Sequence, residues 1–168
     1  IELTNVAACE TTSIKDGLVQ LPRSRAEGDI PQIALVTGGF DELGCLLSRI
    51  GLEKSEYTDP TGAGAIHVYK GVGGGSLDKG TTPTAPDLWK DEASLARYDM
   101  VLLSCEGWEY DEDDGSSGNK TKAQKAAMKA YAEHGGRVFA THYGYTWFKE
   151  SPDESFRSVA TWNAPATA

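Results

Sequence analysis

Cysteine, methionine and histidine are scarce in this chain: three, two and three among 168 residues. Three cysteines are too few for a disulfide scaffold, and an odd number leaves at least one unpaired within the chain. No C-x-x-C and no H-x-x-x-H occurs anywhere, so the spacing offers no metal site and none is expected; no cofactor motif is present either. Long hydrophobic runs are also missing. The longest, Met100–Leu103 among them, are four residues and fall far short of the ~20 apolar residues of a membrane-spanning helix, which argues against membrane insertion. Positive charge is short too: 16 Lys and Arg face 25 Asp and Glu, a formal net charge of -9. A basic face is what releases counterions from a phosphate backbone, so nucleic acid is excluded as the expected partner.

What is present is glycine, 19 residues of it, in loops rich in Thr, Ser and Asp. That composition, with the acidic balance, gives an extracellular or cell-surface expectation. The chain opens on Ile1 with no basic or apolar leader, which reads as a processed product or an excised piece. Residues 1–32 form an arm: residues 1–6 and 17–21 alternate at period two as half-buried strands do. Residues 33–168 carry the pattern of one α/β domain, with a C-terminus that reads as truncated.

Within that domain Ile33-Ala34-Leu35-Val36-Thr37 is a continuous apolar run of the kind buried on both faces of a parallel sheet. Gly38-Gly39 turns the chain, Asp41 offers an N-cap, and Leu43, Leu46, Leu47 and Ile50 follow at i, i+3, i+4, i+7 with Gly51 at C′. Short strands are expected at 55–58 and 65–69, a loop over 71–87 and a helical turn over 91–97. A second strong strand covers 98–104. The helix over 120–134, capped by Asn119, sets Ala123, Ala126, Ala127, Ala130 and Tyr131 inward and Lys122, Lys125 and Lys129 outward. A third strong strand, 137–141, delivers His142 at its end. Strands alternating with helices specify a flavodoxin-like three-layer α/β fold with a mainly parallel sheet, here with an N-terminal β arm.

The run Tyr98-Asp99-Met100-Val101-Leu102-Leu103, the helix ending in Gly135-Gly136, and Arg137-Val138-Phe139-Ala140-Thr141-His142 resemble the class I glutamine amidotransferase-like superfamily. The ThuA-like branch, whose equivalent strand also ends in histidine, is the nearest in pattern. The likeness spans residues 33–148. Cys105-Glu106-Gly107 and Thr141-His142-Tyr143 also resemble segments of large secreted bacterial proteins. In catalytic relatives a small-x-Cys-x-Gly elbow holds the nucleophile. Here it reads Ala140-Thr141-His142-Tyr143-Gly144, so the resemblance implies the sharp turn without the nucleophile, a pseudoenzyme.

His142, Cys105 and Glu106 all fall at carboxyl ends of strands, where open α/β sheets place their ligands. For His142 a structural hydrogen bond, metal ligation and acid–base work stay open; for Cys105, a reactive thiolate or an inert buried thiol. Trp108, Tyr110, Tyr143, Tyr145, Trp147 and Phe148 crowd the loops above the sheet. With Glu106, Asp111 and Asp113 they suit a carbohydrate, or simply pack. Residues 111–119 are rich in oxygen ligands but miss the calcium-loop spacing, and residues 70–76 lack the ending of a phosphate loop. Cys9 and Cys45 could form a disulfide. Phe148, Phe156, Val159 and Trp162 give the tail apolar anchors that call for a partner surface.

The expectation is a non-catalytic binding or structural module of a secreted or cell-surface protein. Its partners are other copies, neighbouring domains or a carbohydrate. The alternative is a hydrolase or isomerase-like enzyme with His142 and Glu106 as an acid–base pair.

Overall fold

A computed structural model describes residues 6–14, 16–17, 20–110 and 118–163. Five strands form one sheet, each parallel to its neighbours: β1 (Ile33–Thr37), β2 (Tyr57–Thr58), β3 (Ile66–Lys70), β4 (Met100–Leu103) and β5 (Arg137–Ala140), in the order β2-β3-β1-β4-β5. β1, β4 and β5 are adjacent as the apolar runs require. In register Leu35 faces Leu102, which in turn faces Phe139. Six helices accompany the strands among the described residues: α1 (Leu43–Arg49), α2 (Ala85–Trp89), α3 (Glu92–Leu95), α4 (Lys122–Glu133), α5 (Thr146–Lys149) and α6 (Glu154–Arg157).

Strand side chains alternate between two faces, and each face has its own core. On one, Ala34, Val36, Tyr69, Val101 and Leu103 pack against Leu88 and Trp89 of α2, Leu95 of α3, Met128 and Tyr131 of α4, and Trp147 of α5. On the other, Ile33, Leu35, Ile66, Val68 and Leu102 meet Leu43 and Leu47 of α1. The result is the three-layer α/β architecture. A fully buried side chain such as Leu88 or Leu35 contributes roughly 1.5–3 kcal/mol.

Several local expectations are corrected. The strands expected at 1–6 and 17–21 lie largely outside the described residues. Residues 20–32 carry no regular element and are pinned where the amides of Arg25 and Ala65 both donate to the buried Glu56 carboxylate, at 2.9 and 2.8 Å. Leu46 and Ile50 do not face inward but are 52% and 59% exposed, because α1 has only seven residues and seats one narrow stripe. On α4 the buried stripe is Ala127, Met128 and Tyr131, with Lys125 buried as well. The alanines barely constrain the helix's rotation, so the larger Met128 and Tyr131 set it. Thr121, not Asn119, caps this helix, in a reciprocal box with Gln124. The 71–87 loop hides the start of α2, where Thr84 and Asp87 form another box.

The tail is partly packed. Phe148 and Phe156 meet at 5.2 Å between ring centroids, and Trp162 reaches back to donate to the Arg157 carbonyl at 2.6 Å. Val159 remains 63% exposed.

Candidate functional site

β1 lies at the centre of the sheet, and the chain leaves it in one direction for β3 and returns on its other side for β4. The helix after β1 packs on one face and the helix after β4 on the opposite face. The loops at the two carboxyl ends therefore part from each other, opening the crevice that doubly wound sheets use for ligands. Asp41 sits just beyond β1, Cys105 just beyond β4, and His142 just beyond β5 at the outer side of the same edge.

These three side chains come together. One ligand atom from each, a carboxylate oxygen, Sγ and a ring nitrogen, lie within 4.8 Å of one another. His142 Nδ1 is 3.2 Å from Asp41 Oδ2. The same carboxylate accepts the Thr141 hydroxyl and, at 3.2 Å, the Cys105 backbone N–H. Thr141's hydroxyl holds the Asp41 carboxyl below the ordinary aspartate value. Burial opposes that shift, while the Cys105 amide and the His142 ring add to it.

Local backbone geometry makes the convergence. Gly38 is required because a Cβ there would stand 2.2 Å from the Cys105 carbonyl oxygen. That close approach lets the Phe40 amide donate to the same oxygen at 3.2 Å, tying the β1 loop to the end of β4. His142 has φ +37°, a left-handed conformation unusual for a residue with a Cβ, at the turn expected to be the elbow. A 3₁₀ turn, His142–Tyr145, follows at once.

Above the cluster is an open cleft of about 730 Å³ lined by Phe40, Cys105, Gly107, His142, Tyr143 and Tyr145. Phe40 is 73% exposed, and its ring lies over Gly107, where a Cβ would meet it at 2.0 Å. Trp108, Tyr143, Tyr145 and Trp162 form a row of rings, with successive centroids 6.4, 6.2 and 6.1 Å apart and tilts of 30°, 37° and 18°. Tyr145 donates its hydroxyl to Glu109, which Lys149 also grips at 2.9 Å. Burial and the Glu109 charge push the Tyr145 phenol well above its usual range.

The expected His142–Glu106 pair is not formed. Glu106 is held by Lys120 Nζ at 2.6 Å and by the Val72 amide at 2.8 Å, in a pair whose side chains are 9% and 4% exposed. Lys120 sits among the rings of Tyr110, Trp89 and Trp147, at 5.3, 5.7 and 5.7 Å. Tyr110 and Trp147 thus belong to this interior cage, and Trp147 also packs edge-on against Trp89 in the core. Neither is among the cleft's lining residues, whereas Tyr143 and Tyr145 are. Cys105 is buried beside His142, while Cys9 and Cys45, the expected disulfide, are both free and exposed. Cys45 lies on the helix side that α1 turns outward with Leu46. Asp111 and Asp113, with the calcium question, lie outside the described residues.

Asp41 is the residue that sequence reasoning misplaced. Read as a helix cap, it caps nothing: Glu42 holds that position without a side-chain bond. The available signal was its place after Gly38-Gly39 at the carboxyl end of a central strand, the edge that also carries Cys105 and His142. Comparison with family models, curated proteins and solved structures found no match.

Proposed function

We propose that this chain is a binding module of an extracellular or cell-surface protein, taking a carbohydrate-like polyol in the cleft above Asp41, Cys105 and His142. The row of rings from Trp108 to Trp162 carries the reading. Aromatic faces beside a carboxylate and an imidazole match a ligand with apolar C–H faces and hydroxyl edges. Of those rings Tyr143 and Tyr145 line the cleft together with Phe40, and Trp108, next in the row, is 60% exposed. The acidic, glycine-rich composition supports the extracellular setting. The left-handed elbow at His142 supports kinship with the amidotransferase-like superfamily in a form that has lost its nucleophile.

A second reading rests on a specific contact. Asp41 can orient and charge-stabilise the His142 imidazole, so an acid–base enzyme would use this pair in place of His142 and Glu106. Titration calorimetry against a panel of mono- and oligosaccharides, with turnover followed on the same panel, separates the two. A binding module shows saturable affinity that Phe40→Ala and Tyr143→Ala each weaken about tenfold, equivalent to ~1.4 kcal/mol. An enzyme shows turnover that His142→Ala cuts by at least ~100-fold. Absence of any saccharide binding, or binding indifferent to both aromatic substitutions, overturns the proposal.

A further inference from the structure

Cys105 and His142 line the cleft, and Asp41 stands directly against both. A thiol, an imidazole and a carboxylate arrive from the ends of three different strands, and one atom of each lies within 4.8 Å of the others. We infer that Asp41, Cys105 and His142 form a three-ligand site for a zinc ion, whose fourth position opens into the cleft.

The donor set selects the ion. Sulfur, nitrogen and one carboxylate oxygen suit zinc, which accepts all three and is indifferent to their mixture. Calcium and magnesium want six or more oxygens, and an iron–sulfur cluster wants several thiolates, neither of which is here. Zinc bonds of about 2.0–2.3 Å place neighbouring ligand atoms roughly 3.3–3.6 Å apart in a tetrahedron. The His142–Asp41 separation, 3.2 Å, is already at that spacing, and the remaining ones, at most 4.8 Å, need an inward movement of about 1.2 Å or less by the exposed His142 ring.

The surroundings are those of an oriented ligand set. Zinc-binding carboxylates are held by outer hydrogen bonds, and Asp41 has two from the protein, the Thr141 hydroxyl and the Cys105 amide. The Cys105 backbone is in turn clamped to the Phe40 amide across the gap that Gly38 leaves. A relay of nucleophile, base and acid would need the two ring nitrogens to face different partners. Here a single ring nitrogen lies within reach of both the sulfur and the carboxylate, as a common metal requires.

This inference deepens the binding reading, since a cation with an open position would grip the hydroxyls of a polyol lying on the aromatic row. It is measured without any saccharide, so the two can fail separately. The full chain, freed of metal by chelator and reduced, is titrated with zinc chloride by calorimetry. Bound metal is counted by elemental analysis, and cobalt(II) is substituted to look for sulfur-to-metal charge-transfer absorption. The expected result is one equivalent per chain, with the cobalt band present. His142→Ala and Cys105→Ser should each weaken zinc by at least ~100-fold, and Thr141→Val, which removes only an outer hydrogen bond, by about tenfold. The double variant Cys9→Ser/Cys45→Ser should bind as the parent does. Circular dichroism guards against misfolding of the buried Cys105 variant, and the exposed His142 supplies the alternative should that variant fail. No zinc retained, equal affinity in His142→Ala, or loss of binding on removing Cys9 and Cys45 would each overturn the site.

Discussion

Lys120 carries its ammonium into the protein interior, 4% exposed, between three aromatic rings and the Glu106 carboxylate. Two charges taken out of water are tolerable only together. Lys120→Met should therefore cost about 3–5 kcal/mol, because it strands Glu106 without its partner. Adding Glu106→Gln should return most of that loss, as read from denaturant midpoints. Asp41 makes a different prediction, one of pH. Its carboxyl is held below the ordinary value in the folded state. The stability it contributes is then fully present above about pH 4, the unfolded value, and lost as pH falls through the lower folded value. Thr141→Val removes the largest cause of that depression. It should lower stability at pH 7 by about 1 kcal/mol or more, and flatten the acid loss. Denaturation curves that stay as far apart at pH 3 as at pH 7 would contradict this account.

At the scale of elements, legibility followed the size of the side chains. β1, β4 and β5 were plain in the sequence because each carries an apolar run built on large side chains, from Val138-Phe139 in β5 to Met100-Val101-Leu102-Leu103 in β4, which admits few other environments. β3 was legible as a strand, but not its inward chemistry. His67 Nδ1 lies 3.0 Å from the Tyr98 hydroxyl, which meets the Tyr69 hydroxyl at 2.8 Å, and burial depresses the histidine's pKa. Such a chain of polar groups is assembled across strands and leaves no spacing signature. The rotation of α4 was misread for the opposite reason, since its alanines fit either face. Met128 is 1% exposed and should set that rotation, so Met128→Ala should cost about 2–5 kcal/mol. Thermal melts in which Ala126→Ser proves as damaging would show that the alanine stripe is buried after all.

For the whole molecule, the decisive feature is that site residues come from loops after three parallel strands. Spacing rules find ligands that share one element and so find none here; Cys105 and His142 were legible from their places at strand ends, while Asp41, in the same position after β1, resembled a helix cap. The same architecture leaves one sheet face covered by α1 alone among the described helices, and Phe139 of β5 is 52% exposed there. Asp41 and Thr141 stand a hundred residues apart in the chain, yet share a hydrogen bond. A contact of that span exists only once β1, β4 and β5 have all docked, so no fragment or partly folded form can present the site. Whatever the site holds consequently acts as a clasp on the entire domain. A chain that has bound its ligand should resist proteolysis everywhere in the sheet, and an empty one should open as a unit.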